Sequence, residues 1–307
     1  MISKIVAIQG DHPSKLNPDT DTSIFLGYEI QKKKYKIFYY EPKDLSLINS
    51  KVIASGFFIR FNYNNKKYFK ILGKKNLDLS KCKFILIRQD PPFNLEYIST
   101  TYILETLKNK VKIVNNPASI RNISEKFYSS NYGKFMPKTI FTQNLKEIKN
   151  FFKTHNKVIL KPINSFGGNE IYLQEKFNNR FIKKIIKKHN YIVVQKYLPG
   201  IIKGDKRVFI INGKVCGAIS RVPKKGSFLS NMSKGAKPKN IKLSRKEIQI
   251  SRLIAKNLKK KGIFFAGIDF IDQKLNGDIN VTSPTGLKTF YDLSKINLAK
   301  TFWRELK

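Results

Sequence analysis

The sequence predicts an α/β protein: a doubly wound N-terminal domain followed by two smaller α+β units. Short apolar runs alternate with helical segments over the first 120 residues, and one of them, "KFILIRQ" (83–89), is the near-continuous apolar kind that a parallel sheet buries on both faces. The remaining residues show hairpin pairs separated by amphipathic helices. A length of 307 residues suits more than one domain.

In chain order, "SKIVAIQ" (3–9) reads as a strand, 22–33 as a helix and "KYKIFYYE" (34–41) as a second strand. Alternating runs from 51 to 72 suggest an antiparallel excursion turning in "NYNNKK". After the buried strand 83–89 come a helix at 95–109 and a strand, "VKIVNN" (111–116). A short helix at 124–132 leads into "MPKTIFT", a helix at 144–154, strands at 157–163 and 170–174, a helix at 178–189 and the strand "YIVVQKYL" (191–198). A hairpin at 206–222 precedes "KKGSFLSNMSKGAKPK" (224–239), which lacks periodicity yet lies between strongly patterned segments. That context marks a mobile loop over a site, not a linker. A helix (244–260), a hairpin around Asn276-Gly277 and a terminal helix (288–306) close the chain. The expected divisions are 1–122, 123–200 and 201–307.

Sixty basic against 21 acidic residues give a net charge of +39, which first suggests nucleic acid. Only nine of the 60 are arginine, the fork-shaped reader of phosphates and bases, and the lysines are spread along the chain with Asn, Ile, Phe and Tyr. The charge therefore reads as compositional bias: nonspecific adhesion to polyanions at low salt, with no specific nucleic-acid partner. There is no run of about 18 apolar residues to span a membrane and no secretory leader pattern. Cys82 and Cys216 form no spaced pair, as in reduced cytoplasmic proteins.

Scarce carboxylates gather near the end of the chain. In "GIDFIDQKLNGDINVTSPTG" (267–286), Asp278 and Asn280 are two apart and share one strand face, with Asp269 placed to lie across from them. In "VILKPINSFGGNEIYL" (158–173), Gly167 and Gly168 permit backbone N–H groups to fold over a phosphate, and Lys161 points the same way. Ordinary hairpin turns use Gly-Gly too, and neither a P-loop nor a dinucleotide-binding glycine pattern is present. "VVQKYLPG" offers a strand edge for a flat base, with Tyr197 and Leu198 as apolar surface. Plain strand termination is the alternative. Asp205 and Arg207 share one hairpin face and Arg221 lies on the return strand, so two of the few arginines are set to clamp a phosphoryl group or a carboxylate. Arg88, in the turn after the buried strand, sits at the carboxyl end of the sheet where α/β proteins bind ligands. Asp21 and Ser23 open the first helix and serve equally well as its cap.

The succession of basic anchor, glycine turn, strand edge, arginine hairpin, loop and acidic hairpin resembles the ATP-grasp ligases. "RQDPPFNLEYISTTYILE" (88–105), "VNNPASIRNISEKF" (114–127), "QKYLPGIIKGDKRV" (195–208) and "INVTSPTG" (279–286) narrow the resemblance to bacterial glutathione synthetases, in register over nearly the whole chain. The resemblance implies a pre-ATP-grasp α/β domain, then an ATP-grasp fold whose two α+β subdomains enclose the nucleotide. It implies ligation of γ-glutamylcysteine to glycine with ATP and Mg²⁺ or Mn²⁺, and a cytoplasmic homo-oligomer. Lys126 and Lys161 match the lysines that grip ATP phosphates; Gly167, Gly168, Gln195, Tyr197, Leu198 and Asp205 fall in the nucleotide-binding segments. Arg207 and Arg221 take the catalytic positions, Asp21, Ser23, Arg88 and Asn231 the peptide-binding ones, and Asp269, Asp278 and Asn280 match the metal ligands. Three positions depart from the family pattern: Asp278 stands for a glutamate, Leu229 for an arginine in the lid, and Ser165 for a glycine in the phosphate turn. An ATP-grasp ligase acting on another acid or amine is the second reading. A non-catalytic or polyanion-binding protein on the same fold is the third.

Overall fold

The computed structural model describes residues 4–63 and 67–306. Ser3 of the first expected strand and the tip of the "NYNNKK" turn (64–66) lie outside the described residues. The first sheet contains β1 (Ile5–Gln9), β2 (Lys36–Tyr40), β3 (Leu45–Ile48), β4 (Lys51–Phe61), β5 (Phe69–Asp78), β6 (Phe84–Ile87) and β7 (Lys112–Val114). Its order is β3-β4-β2-β1-β6-β7, with β5 beside β4. The β2-β1-β6-β7 part is parallel, and β3, β4 and β5 form the antiparallel excursion. Strand alternation divides the core between two faces. Val6, Ile8, Phe84 and Leu86 pack with Ile24 and Leu26 of α1 (Thr22–Gln31), whereas Ala7, Ile85 and Ile87 pack with Tyr97 and Leu104 of α2 (Leu95–Glu105) and Ile120 of α3 (Pro117–Asn122). Helices therefore cover both faces, as the doubly wound reading requires.

The second sheet holds β8 (Thr139–Thr142), β9 (Val158–Pro162), β10 (Tyr172–Gln174) and β11 (Ile192–Lys196) in the antiparallel order β10-β9-β11-β8. Val158, Leu160, Ile192 and Val194 face α4 (Leu145–Thr154) and α5 (Asn179–His189). The alternate residues Ile159, Lys161 and Gln195 are thereby turned to the opposite side, into the cleft described below.

The third sheet runs β14-β13-β12-β15-β16, from β12 (Asp205–Ile211), β13 (Lys214–Val222), β14 (Lys237–Asn240), β15 (Phe265–Ile271) and β16 (Lys274–Asn280). One face, with Val208, Ile210, Ile268 and Phe270, packs on α6 (Arg245–Lys260), whose N-terminus carries a Ser244–Glu247 capping box. The other is apolar at one end, where Phe209, Ile211 and Phe265 meet α7 (Leu287–Ser294) and α8 (Leu298–Glu305). Its opposite end carries Asp205, Arg207 and Asp269. Trp303 of α8 donates its indole N–H to Leu26 O at 2.9 Å, tying the end of the chain to the first domain.

Four sequence expectations need correction. The helix expected at 124–132 is a 3-10 helix, Phe127–Phe135, because its residues lack a helical apolar stripe. The terminal helix is broken by Lys295, in left-handed backbone (φ 61°), into α7 and α8. The 224–239 segment is not wholly irregular: it includes a 3-10 turn at Met232–Lys234 and the start of β14, paired to β13. The last hairpin turns at Asp272–Gln273, both with positive φ (49° and 59°) as a two-residue hairpin turn requires, and not at Asn276-Gly277. Gly277 (φ 92°) lies inside β16, where three residues, Asn276 to Asp278, are set against the single Asp269 of β15. Such a bulge re-aims side chains.

Candidate active site

A cleft of about 620 Å³ lies between the second and third sheets, and the loops after β1 and β6 close one end. Its floor is a buried charge platform. Arg207 donates to both carboxylate oxygens of Asp269, at 2.5 and 2.8 Å, and Arg221 donates to Asp269 at 3.0 Å and to both oxygens of Asp205. Asp205 and Arg221 are register partners across β12–β13, as are Arg207 and Asp269 across β12–β15, so the strand pairing itself sets these contacts. Ser230 Oγ donates to Asp205 at 2.6 Å and completes the set. Burial alone would raise Asp269, but Arg207 and Arg221 together outweigh it and hold the carboxyl at about 2. Burial works against the Arg221 charge, and Asp205 and Asp269 reverse that, raising its pKa.

The roof is held differently. Lys161, buried on β9, donates to Asn276 O at 3.0 Å and stands 3.7 Å from Asp278. Lys126 donates to Ile163 O (3.3 Å) and Ser165 O and stands 3.8 Å from Asp278. Burial pushes the Lys161 ammonium below the ordinary lysine range, an effect Asp278 offsets in part. Gly167 and Gly168 both take left-handed backbone (φ 63° and 77°), and a Cβ on Gly168 would come within 2.4 Å of Asn231 Oδ1. The 224–239 loop rests on this turn: Ser233 Oγ donates to Gly167 O at 3.3 Å and Lys234 Nζ to Asn169 Oδ1 at 2.6 Å. Ser165 does not adopt left-handed backbone, which in this connection falls to Gly167, Gly168 and Glu170. Its hydroxyl donates to Pro162 O at 2.9 Å.

Ile159, Tyr197, Leu198 and Ile271 give one wall an apolar surface. Gln195 is buried there, with its amide donating to Thr139 Oγ1 at 2.9 Å. The N–H groups of Lys196 and Tyr197 already bond Lys138 O and Lys157 O, so the expected strand edge is partly occupied by its own chain.

Asp21 caps α1, accepting from Ile24 N at 2.7 Å, and also lines the cleft, so both readings of it hold together. Ser23 and Arg88 are buried and do not line the cleft: Arg88 Nε donates to Ser23 Oγ at 3.1 Å, while both terminal guanidinium nitrogens are buried with no hydrogen-bond partner among the described residues. Burial lowers the Arg88 pKa against the pull of Asp21 and Asp90. It raises both acids against the pull of Arg88.

Asp269, Asp278 and Asn280 converge on the cleft. The described residues contain no group of three or more His, Cys, Asp or Glu side chains able to hold a metal alone. Asp269 accepts three arginine hydrogen bonds and keeps one lone-pair site on Oδ1, Asp278 is partly exposed with its lysines beyond hydrogen-bond distance, and Asn280 donates from its amide nitrogen to Gly267 O at 3.4 Å, keeping its oxygen. Hard oxygens in this small number suit a divalent ion whose shell is completed by a ligand's phosphates.

Sequence reasoning did not single out Ser230, Asn276 or Glu125 as site residues, and used 279–286 only as a mark of resemblance, although Thr282, Ser283, Thr285 and Gly286 line the cleft with them. Asn276 was hidden by its resemblance to a hairpin turn, and Glu125 by the absence of any spacing rule linking it to residues 156 and 157 positions away.

Family models of the prokaryotic glutathione synthetase N-terminal domain and ATP-grasp domain match residues 5–121 and 125–295. The chain belongs to the prokaryotic glutathione synthetase family. It is 34% identical over 305 residues to the glutathione synthetase of Agrobacterium fabrum, covering 98% of this chain and 95% of that one. It is 39% identical over 282 residues to that of Buchnera aphidicola subsp. Baizongia pistaciae, with 90% and 87% covered. Among solved structures, D-cycloserine synthetase DcsG aligns with a TM-score of 0.68 at 11% identity, covering 99% of this chain and 100% of that one. The ATP-grasp ligase PsnB, complexed with a precursor variant, Mg and ADP, aligns at 0.64 and 13%, with both chains fully covered. At such low identity these two show the fold, which is ATP-grasp. Family membership carries ATP binding and use of a divalent cation. Among the described residues no helix is long and apolar enough to cross a membrane.

Proposed function

We propose that the chain catalyses ATP-dependent ligation of γ-glutamylcysteine to glycine, giving glutathione, ADP and phosphate. The observation that carries this reading is the convergence, in one cleft, of two buried lysines, a glycine turn, two arginines and a strand bearing Asp278 and Asn280. A carboxylate does not condense with an amine in water, because it is a poor electrophile. In the proposed sequence the γ-phosphorus of ATP is transferred to a carboxylate oxygen of the dipeptide while its bond to the β–γ bridging oxygen breaks, releasing ADP. The resulting acyl phosphate is attacked by the glycine amine; the amide bond forms, the carbonyl carbon–phosphate bond breaks and the amine's proton is lost.

Lys126 and Lys161 hold the phosphates, the Gly167–Gly168 turn covers them with N–H groups, and Gln195, Tyr197 and Leu198 face the base. Asp205 lies at the far end of the nucleotide site, where it orients Arg221. Arg207 and Arg221 each keep Nη1 for the transferring group after their other nitrogens engage the acids, stabilising charge that grows in the transition state. Asp269, Asp278 and Asn280 would hold Mg²⁺ or Mn²⁺, which supplies neutralisation of the phosphate charge. Arg88, with its unpaired terminal nitrogens, takes the dipeptide's far carboxylate beside Ser23 and Asp21. The 224–239 loop, with Asn231 against Gly168, keeps water from the acyl phosphate. Leu229 lines the cleft where the family pattern has arginine, so closure here relies on the Ser230, Ser233 and Lys234 contacts. The unpaired cysteines fit a reducing cytoplasm.

The test is ADP release with γ-glutamylcysteine and a panel of amines, with mass spectrometry of the product. Glycine-dependent turnover yielding glutathione is expected. Turnover with another amine, and none with glycine, would replace this reading by a different ligase.

A further inference from the structure

We infer that Glu125 is a positioning residue: it clamps the outer edge of β16 and thereby sets the height of Asp278 and Asn280 relative to Lys126. β16 is the last strand of its sheet, so its outward N–H groups have no strand partner. Glu125 supplies the acceptors instead. Its backbone oxygen accepts from Ile279 N at 3.0 Å. Its side-chain Oε1 accepts from Val281 N (2.7 Å), Thr282 N (3.0 Å) and Thr282 Oγ1 (2.9 Å).

Strand alternation explains why this matters to the cleft. Residues 279 and 281 send their N–H groups outward to Glu125, while the side chains of 278 and 280 project into the cleft. The next residue in the chain is Lys126, which reaches Ile163 O, Ser165 O and the vicinity of Asp278. A two-residue stretch thus fixes the acid-bearing strand and the phosphate turn to one another. The strand needs such a clamp, because the bulge opposite Asp269 removes regular pairing at Asp278, and the ladder resumes only at Ile279 and Asn280, opposite Ile268 and Gly267. Three donors meet a single carboxylate oxygen, a stronger arrangement than neutral acceptors provide.

This inference rests on the proposed nucleotide–metal site, and it concerns how ligand residues are oriented, an influence that typically amounts to about 10–100-fold in metal affinity or activity. The experiment is calorimetric titration of the full-length protein with ADP, with and without Mg²⁺, for wild type, Glu125→Ala, Glu125→Gln and Thr282→Val, with melting temperatures recorded alongside. The wild type should bind ADP more tightly with Mg²⁺. If it does not, the proposed metal site fails irrespective of Glu125.

Given that enhancement, Glu125→Ala should lower it by about 10-fold or more while ADP affinity without metal changes little. Glu125→Gln, which keeps an acceptor oxygen, should restore most of it, and Thr282→Val should give a smaller loss at unchanged melting temperature. A Mg²⁺ enhancement in both Glu125 variants equal to wild type would overturn the inference. So would a loss in Gln as large as in Ala, which would make the charge itself the ligand. If the Ala variant does not fold, an unchanged enhancement in Thr282→Val overturns it equally.

Discussion

Two groups of charges face each other across the cleft, and they are held in opposite ways. On the floor, Asp205, Arg207, Arg221 and Asp269 satisfy one another with direct hydrogen bonds on rigid, adjacent strands. On the roof, Lys126 and Lys161 lean on backbone carbonyls and share one carboxylate, Asp278, at 3.7–3.8 Å. The floor is finished before any ligand arrives, whereas the roof carries buried positive charge with incomplete compensation. Fully paired charge preorganises a site; under-paired charge marks where an anion belongs.

The contrast is broken most severely on the floor. Asp269→Asn leaves two buried guanidinium groups under-compensated and should cost about 3–5 kcal/mol of stability, read from urea denaturation, along with all turnover. Asp278→Ala should abolish divalent-cation-dependent turnover too, yet move stability by no more than about 1 kcal/mol, since its ion pairs are long and partly solvated. Equal stability losses in the two variants would erase the distinction between floor and roof.

Lys161→Met comes next. It should lower kcat/KM for ATP by about 100-fold with the fold intact, as for removal of a preorganised charge-stabilising donor. The same lysine predicts a pH effect. Its pKa is depressed in the free protein, so charge for phosphate binding is present at lower pH and lost as pH rises through that depressed value. ATP affinity should therefore fall at a pH below the ordinary lysine range, and Lys161→Met should abolish that dependence.

The floor has the opposite pH signature. The Asp269 carboxyl is held at about 2, below its unfolded value, so its stabilising contribution is fully present above the unfolded value and disappears as pH falls through 2. Denaturation midpoints should decline over that acid window, and less steeply in Asp269→Asn. The smallest effect is expected from Ser165→Gly. Loss of the bond to Pro162 and added unfolded-state freedom should cost about 0.4–1 kcal/mol, with turnover within a few-fold of wild type.

Much of this contrast was legible in the sequence. Period-2 alternation separates Val158 and Leu160 from Ile159 and Lys161, and the same rule puts Asp278 with Asn280. The β1, α1, β2 and β6, α2, β7 succession already implies helices on both faces. What stayed hidden depends on backbone detail. Asn276-Gly277 carries the strongest hairpin dipeptide, yet the chain turns at Asp272–Gln273 and uses Gly277 for a bulge, because pairing with β15 outweighs local turn preference. The arginine partners were visible as residues but not as pairs: only the register of β12 between β13 and β15 joins Asp205 to Arg221 and Arg207 to Asp269. Likewise the place of Arg88 after a buried strand was legible, but only the packing shows its terminal nitrogens buried with no acceptor among the described residues.

The account centres on phosphoryl transfer to a peptide carboxylate in this cleft, and isotope labelling tests that most directly. γ-Glutamylcysteine labelled with ¹⁸O in its cysteinyl carboxylate is turned over with ATP, Mg²⁺ and glycine, and the released phosphate is weighed by mass spectrometry. The account predicts phosphate carrying one ¹⁸O atom for each glutathione formed. Unlabelled phosphate accompanying labelled product would contradict it.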